Sequence, residues 1–337
     1  MRRRQFLGSA VGAAAIAALS DKGASAASVV GSAGGGAIPR VLAPFLALPG
    51  VKGAQIDVDH ADQPWRASYN ADAALFCGSC FKTFVLAAYL QELEAGRQDE
   101  AEQLAIDDSN RALSGPVYEH VSGTIAARYV LEAMIAHSDN TATDAIMNRV
   151  GAERVRKFIA DAGLKDVRIP DSTRKFFSYL TGSQPGVDLG WKALSEIVQN
   201  DKADTSKYRP ALNDVSTMAT PASQLVDYYK RALSGAFFKQ PETLAEFRRI
   251  SAMADGIVAS VPAGTAAYGK GGSIDWNGFH CMAIGGQMMV RTVPVTFSFI
   301  VNWNDADGPQ DKTVAAYVKS VSSVLTKVHD KITQAQS

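Results

Sequence analysis

Apolar positions change period twice along the chain. Gly53 to Asp59 and Trp65 to Asn70 alternate apolar and polar residues, the two-residue repeat of strands buried on one face. Turn-rich Asp59 to Gln63 lies between them, which predicts a hairpin, and Arg40 to Leu48 ahead of it has the spacing of a short amphipathic helix. Beyond the hairpin the period lengthens. A helix is expected from Ser79 through Leu93, ending near Glu94-Ala95-Gly96 where the glycine is a natural stop. Residues 97–122 are polar and broken by Gly115 and Pro116, with Gly123 following, and read as loops and short pieces. Thr124 reads as an N-cap, because Ala126, Val130, Leu131, Met134 and Ile135 follow at helical spacing as far as His137. Further helical runs cover Ala142 to Val150 and Arg154 to Ala162.

From Gly163 to Met218 the periodicity dissolves around Pro170, Pro185 and Pro210, leaving only a short helical segment near Trp191 to Val198. So long an irregular stretch inside a compact domain points to functional loops. Order restarts at Thr220-Pro221, read as a cap and a proline at the first helical position, with helices at Ser223 to Leu233 and Pro241 to Ser251. Then the short period returns: Ala266 to Ser273, Phe279 to Met288 and Val293 to Trp303 read as three consecutive strands. A last helix from Asp311 to about Ile332 carries Val314, Val318, Val321, Leu325 and Val328 on one stripe. Strands at both ends of the chain and helices between them predict a mixed α/β layered domain with one sheet closed by both termini.

Composition narrows this only at the edges. The chain has 337 residues and 47% apolar content, enough for a full core. Its 34 basic and 34 acidic residues balance, with no basic block after residue 4, so neither a nucleic acid nor an anionic membrane is expected as partner. Residues 1–26 have the parts of a removable export signal: Arg2-Arg3-Arg4 before Gln5-Phe6-Leu7, an apolar run from Val11 to Leu19, and Ala24-Ser25-Ala26 as the cleavage site. The paired arginines are of the twin-arginine type, and the apolar run is too short for a stable span. The mature protein is therefore expected to be exported, periplasmic or secreted, with residues 27–37 as a flexible leader and 38–335 as one catalytic domain. Nothing signals an oligomer, which leaves a monomer. Cys77 and Cys80 form a C-x-x-C, but no thioredoxin-like pattern surrounds them and only His280-Cys281 offers further ligands close together, so buried structural thiols are the expectation.

Candidate chemistry centres on Ser79 and Lys82. Three residues apart at the start of a helix, they share a face, and a lysine desolvated in a cleft can take the proton of a serine hydroxyl. The free amides of the helix start can hold a developing oxyanion. A second motif, Ser138-Asp139-Asn140, sits at a helix-to-helix junction that can aim a hydroxyl and a carboxamide into a cleft; Asp139 also suits a cap of the next helix. A third, Lys270-Gly271-Gly272-Ser273, puts a cation on a strand beside bare backbone that a substrate can approach closely.

Taken in this order, the three motifs resemble the S-x-x-K, S-D-N and K-T-G set of class A β-lactamases and penicillin-binding proteins. The resemblance covers about Ile38 to Ile332 and implies the serine β-lactamase fold: an α/β (α+β) domain whose antiparallel sheet joins N- and C-terminal segments, with a helical subregion over about 79–262. It implies that Ser79 is acylated by a β-lactam or a peptidoglycan-like acyl substrate, Lys82 helps take its proton, and Ser138 relays a proton to the leaving nitrogen. Asn140 would bind the substrate's side-chain amide, and Lys270, with Gly272 and Ser273, its carboxylate end. The amides of Ser79 and Ser273 would form the oxyanion hole. Neither a metal nor another cofactor is needed.

Three departures qualify that expectation. Gly271 replaces the hydroxyl residue of the third motif. The loop after S-D-N lacks the family's water-activating glutamate, since Pro170 and Phe176 stand at its expected spacing from Arg168 and Arg174. Asp171 is the nearest acid there, with Asp188 and Glu196 farther along, so Asp171 and Glu196 become the candidate deacylation bases. Finally, Cys77 and Cys80 bracket Ser79; some relatives tie a cysteine beside the nucleophile to one near the third-motif strand, but Cys77 and Cys281 are offset from that arrangement, and an offset on a helix start redirects the side chain, so no such pairing is expected. The resemblance thus implies a β-lactam hydrolase, with a slowly deacylating D,D-peptidase or esterase as the alternative and a non-catalytic binder as a third reading.

Overall fold

A computed structural model describes residues 39–200 and 204–335; the expected signal peptide and leader lie outside the described residues. A 3-10 turn at Arg40–Leu42 leads into α1 (Ala43–Leu46), then strands β1 (Val51–Val58) and β2 (Trp65–Tyr69) and the two-residue β3 (Leu75–Phe76). A second 3-10 turn, Gly78–Phe81, opens α2 (Lys82–Glu94). Next come β4 (Gln103–Ile106), β5 (Gly123–Ala126), α3 (Ala127–Ala136), α4 (Asn140–Val150) and α5 (Ala152–Asp161). The irregular region holds α6 (Thr173–Leu180) and α7 (Gly190–Gln199), and β6 (Ala219–Thr220) closes it. Then follow α8 (Ala222–Leu233), α9 (Pro241–Ser251), α10 (Asp255–Val258), β7 (Ala266–Trp276), β8 (Phe279–Val290), β9 (Val293–Asn304) and α11 (Gln310–Ala335).

The five long strands form one antiparallel sheet in the order β2-β1-β9-β8-β7, joining the two ends of the chain as expected. Central β9 pairs with β1 through Ala54↔Phe299 and with β8 through Ile284↔Phe299. One face is covered by α1 and α11: the Phe45 ring meets Phe299 edge-on at 5.1 Å and Tyr317 at 6.2 Å, and the Tyr317 hydroxyl donates to the Phe299 carbonyl at 2.9 Å. The other face receives α8, which rests on β1, β8 and β9. Bare Gly285 admits it closely, since a methyl group there would meet Leu225 and Tyr229 at 3.2 Å. In the helical layer α2 runs among α3, α4, α5 and α9 and is buried continuously from Lys82 to Leu90. A helix enclosed on all sides has no polar stripe, which fits its uninterrupted Phe84-Val85-Leu86-Ala87-Ala88 run.

Four local expectations are corrected. Thr124 lies in β5, paired with β4 through Ala105↔Thr124, and α3 starts at Ala127 with no side-chain cap. The strand partner is remote in sequence, so the local capping signal was misleading. Helix α6 goes unseen in the sequence because at eight residues, between Pro170 and Pro185, it is too short to establish a period; Ser172 caps it by accepting from the Lys175 amide at 3.0 Å. Pro221 is the N-cap of α8 rather than its first residue, and α10 is too short to show a period.

One side chain of the sheet braces the segment leading into Ser79. Asn302 of β9 accepts from the Phe76 amide and donates to the Phe76 carbonyl, both at 2.9 Å, inside the core. Asn302→Ala leaves a buried amide without its partner, so a loss of about 2–3 kcal/mol in urea unfolding is expected.

Candidate active site

Ser79 is set by a backbone-to-backbone contact. Cys77 hydrogen-bonds through its amide to the Met218 carbonyl at 2.8 Å, and Gly78 then turns with a positive φ of 51°. A methyl group on Gly272 would fall 2.1 Å from the Cys77 carbonyl and 2.8 Å from the Ser79 and Cys80 nitrogens. One on Gly78 would fall 2.7 Å from the Ser273 nitrogen. Only bare backbone fits on both sides. The amides of Ser79 and Ser273 therefore lie at one junction, with Ser79 half-buried beside it.

Lys82, the first residue of α2, is completely buried. Its ammonium donates to the Ser138 carbonyl at 2.5 Å, to Asn140 Oδ1 at 2.7 Å and to Ser138 Oγ at 3.3 Å. Burial pushes its pKa well below the usual lysine value, as does nearby Lys270, while Asp139 and Asp144 pull the other way. The sequence expectation placed this amine against the Ser79 hydroxyl. Among the described residues no hydrogen bond joins the two, because the acceptors of the S-D-N turn claim the amine.

That turn is built around Asp139. Its carboxylate caps α4 through the Ala142 amide at 2.7 Å and also accepts from the Val117 and Tyr118 amides at 2.8 and 3.0 Å. The cap reading for Asp139 therefore holds, and the same bonds support Ser138 in a left-handed conformation, φ 57°, facing Lys82. Asn140 donates its amide to the Leu113 carbonyl at 2.8 Å. Lys270 of β7 is also buried; its ammonium donates to the Gly271 carbonyl at 2.9 Å, and burial lowers its pKa to about 8 against the upward pull of Cys80 and Asp255. Ser138, Lys270, Gly272 and Ser273 line one hollow. Ser79 joins it through its amide beside Gly272, and Lys82 and Asn140 join it behind Ser138.

None of the loop acids lines this hollow. Asp171 is bound by Arg156 with Lys175 at 3.9 Å, and Glu196 is exposed on α7. Asp188, although burial opposes it, is held below the usual carboxylate range by a two-pronged bond from Arg174, Nε to Oδ1 and Nη2 to Oδ2, both at 2.7 Å. No bond links these acids to the motif residues among the described residues. The three thiols are free and buried; burial raises all of them, Cys80 to about 12. Cys281 donates to the Phe76 carbonyl at 3.0 Å and Cys80 to the Lys270 carbonyl at 3.3 Å.

Sequence reasoning missed Asp144. Four residues after Asn140, it shares that residue's face of α4, a spacing that was available in the sequence. It is buried and accepts from the Thr173 and Arg174 amides at 2.6 and 2.9 Å, binding the first turn of α6 to the helix that carries Asn140. Burial pushes its carboxyl up to about 6, and its charge acts on Lys82.

The sequence matches the family described as the β-lactamase enzyme family over residues 50–273. A comparison with curated proteins finds no match. Among solved structures, a β-lactamase from Xanthomonas campestris pv. campestris aligns with a TM-score of 0.64 at 19% identity, covering 86% of this chain and 95% of that one. A class A β-lactamase from Mycobacterium abscessus aligns with a TM-score of 0.64 at 16% identity, over 86% and 97% of the two chains. The structure of PBP-A gives 0.63 at 16%, over 86% and 95%. These likenesses bear out the serine β-lactamase fold expected from the motifs.

Asp144 makes stability depend on pH with a definite sign. Its folded pKa of about 6 exceeds its ordinary 3.8, so its stabilising contribution is present below 3.8 and is lost as pH rises through 6. Relative to Asp144→Asn, the wild type should lose about 2–3 kcal/mol between pH 4 and pH 7 in urea titrations.

Proposed function

The chain belongs to the β-lactamase enzyme family, and from that premise we propose that it is an exported serine hydrolase that opens β-lactam rings through a covalent acyl-Ser79 intermediate. One observation carries this reading: a fully buried lysine, three residues after the serine, bonded to the hydroxyl residue of the second motif. Desolvation makes Lys82 a ready proton acceptor, because the neutral amine avoids the cost of burying a charge.

In the forward step Ser79 Oγ attacks the lactam carbonyl as its proton passes toward Lys82, and the carbonyl oxygen becomes an anion at the Ser79 and Ser273 amides. Collapse breaks the carbon–nitrogen bond. Ser138, hydrogen-bonded to the Lys82 amine, then passes a proton to the leaving nitrogen. Asn140 orients the substrate's amide, and Lys270, flanked by Gly272 and Ser273, faces its carboxylate end. Water completes the cycle by attacking the acyl-enzyme, with Asp171 or Glu196 as base. Asp171 would first have to leave Arg156, which makes deacylation the slow step. The same ion pair favours a second reading, a penicillin-binding D,D-peptidase or esterase that forms the acyl-enzyme and releases it slowly.

Intact-protein mass after mixing mature protein with benzylpenicillin, from seconds to hours, tests the proposal. A Ser79-dependent adduct, absent in Ser79→Ala, that disappears as penicilloate accumulates is the expected result. A persistent adduct selects the second reading, and no adduct overturns both.

Lys270 sets a further expectation. Below pH 8 it is a cation, and above it increasingly neutral, so KM for a free-acid penicillin should rise by about tenfold per unit once pH passes 8 if the charge alone holds the carboxylate. A pH profile of KM measures this directly, and Lys270→Ala should abolish the rise.

A further inference from the structure

Gly271 leaves the third motif without its hydroxyl, yet the hollow holds a serine from another part of the chain. Ser260 lines it together with Lys270, Gly271, Gly272 and Ser273. Two bare positions let that serine approach. Helix α10 lies directly on β7: a methyl group on Gly256 would meet the Gly271 Cα at 3.4 Å, and one on Gly271 would meet the Gly256 Cα at 3.7 Å. Four residues after Gly256, Ser260 is buried, only 3% exposed, and its hydroxyl donates to the Gly256 carbonyl at 2.8 Å. From the strand side, the Lys270 ammonium donates to the Gly271 carbonyl at 2.9 Å. Hydroxyl and ammonium are thus anchored on the two residues that touch, Gly256 and Gly271.

A carboxylate held at Lys270 needs further donors, because Met282, Ile284 and Val318 make much of the wall apolar and return nothing for lost water. Asp255, the acid of the lining, offers no donor and is engaged by His137, whose Nδ1 lies 3.0 Å from its Oδ2. Of the lining hydroxyls, that of Ser138 is bonded to Lys82 and Ser273 lies beside Gly78 at the oxyanion junction, whereas Ser260 sits where α10 meets Gly271. A hydroxyl that donates to a neutral carbonyl can exchange it for a carboxylate by rotation about one bond, and a hydrogen bond to an anion is shorter and stronger. Gly256 is only half-buried, so water can serve the carbonyl that Ser260 leaves. We propose that Ser260 binds the substrate carboxylate beside Lys270, supplying from the end of α10 the hydroxyl that the strand lacks. The inference rests on the reading that Ser79 is acylated by β-lactams.

Benzylpenicillin and its methyl ester differ at this end alone, so the second-order rates of Ser79 acylation by the two, followed by intact-protein mass, isolate the contact. Ser260→Ala should lower the rate for the acid about tenfold, the effect of losing one hydrogen bond to a charged group, and leave the ester within about twofold. Ser260→Cys, which keeps the shape but donates weakly, should show the same selective loss, and Ser260→Thr should stay within about threefold of wild type for both compounds. Equal losses for acid and ester in the Ala and Cys variants mean a structural role only and overturn the proposal, as do rates that do not move. If neither compound acylates wild type, the acyl-enzyme reading has failed, and calorimetric binding of benzylpenicillin to Ser79→Ala and to Ser79→Ala/Ser260→Ala decides the contact by itself. Binding about tenfold weaker in the double variant supports it, and equal binding, or none, overturns it.

Discussion

A lysine ammonium stripped of water is among the most costly groups a protein can bury, and the cleft is organised around meeting the needs of one. Lys82 has three N–H donors, and the structure supplies three acceptors for them, all from Ser138 and Asn140. Placing those acceptors requires Ser138 in the left-handed region, which in turn requires Asp139 to gather the Ala142, Val117 and Tyr118 amides. The motif is therefore one solution to one electrostatic problem. What makes Lys82 expensive to bury also makes it easy to deprotonate, so the stability cost and the proposed chemistry have the same origin.

The opposite wall is set by sterics. A cation, a nucleophile and two amides can converge only because β7 and the Ser79 turn touch without side chains between them, at Gly78 and Gly272. The lysine on that wall, Lys270, is also buried, and its field adds to the pressure on Lys82 to lose its charge. That pressure is partly offset by the Asp139 and Asp144 carboxylates, while Lys270, lowered chiefly by its own burial, is pulled back up by Cys80 and Asp255.

What the sequence made legible was what is local. The three long C-terminal strands and α11 carry clean periods, and S-x-x-K and S-D-N are short enough to be read without knowing the fold. Asp144 escaped notice because its importance comes from what packs opposite it, the α6 amides. The β4–β5 pair was missed for the same reason, since Gly123–Ala126 looks like a helix start until Gln103–Ile106 lies beside it. The missing loop glutamate was visible in the sequence. That Asp171 is engaged by Arg156 and Asp188 by Arg174 was not, because the path of the loop decides which arginine each acid meets.

Arg174 ties the rim together. From a buried position its guanidinium reaches the Asp108, Ser109 and Arg111 carbonyls and the Asp188 carboxylate, while its own amide is held by Asp144. Segments from three distant parts of the sequence thus share one cross-link on one side of the cleft. None can peel away alone without stranding a buried cation, so this side of the cleft behaves as a single cooperative unit that opens all together or not at all.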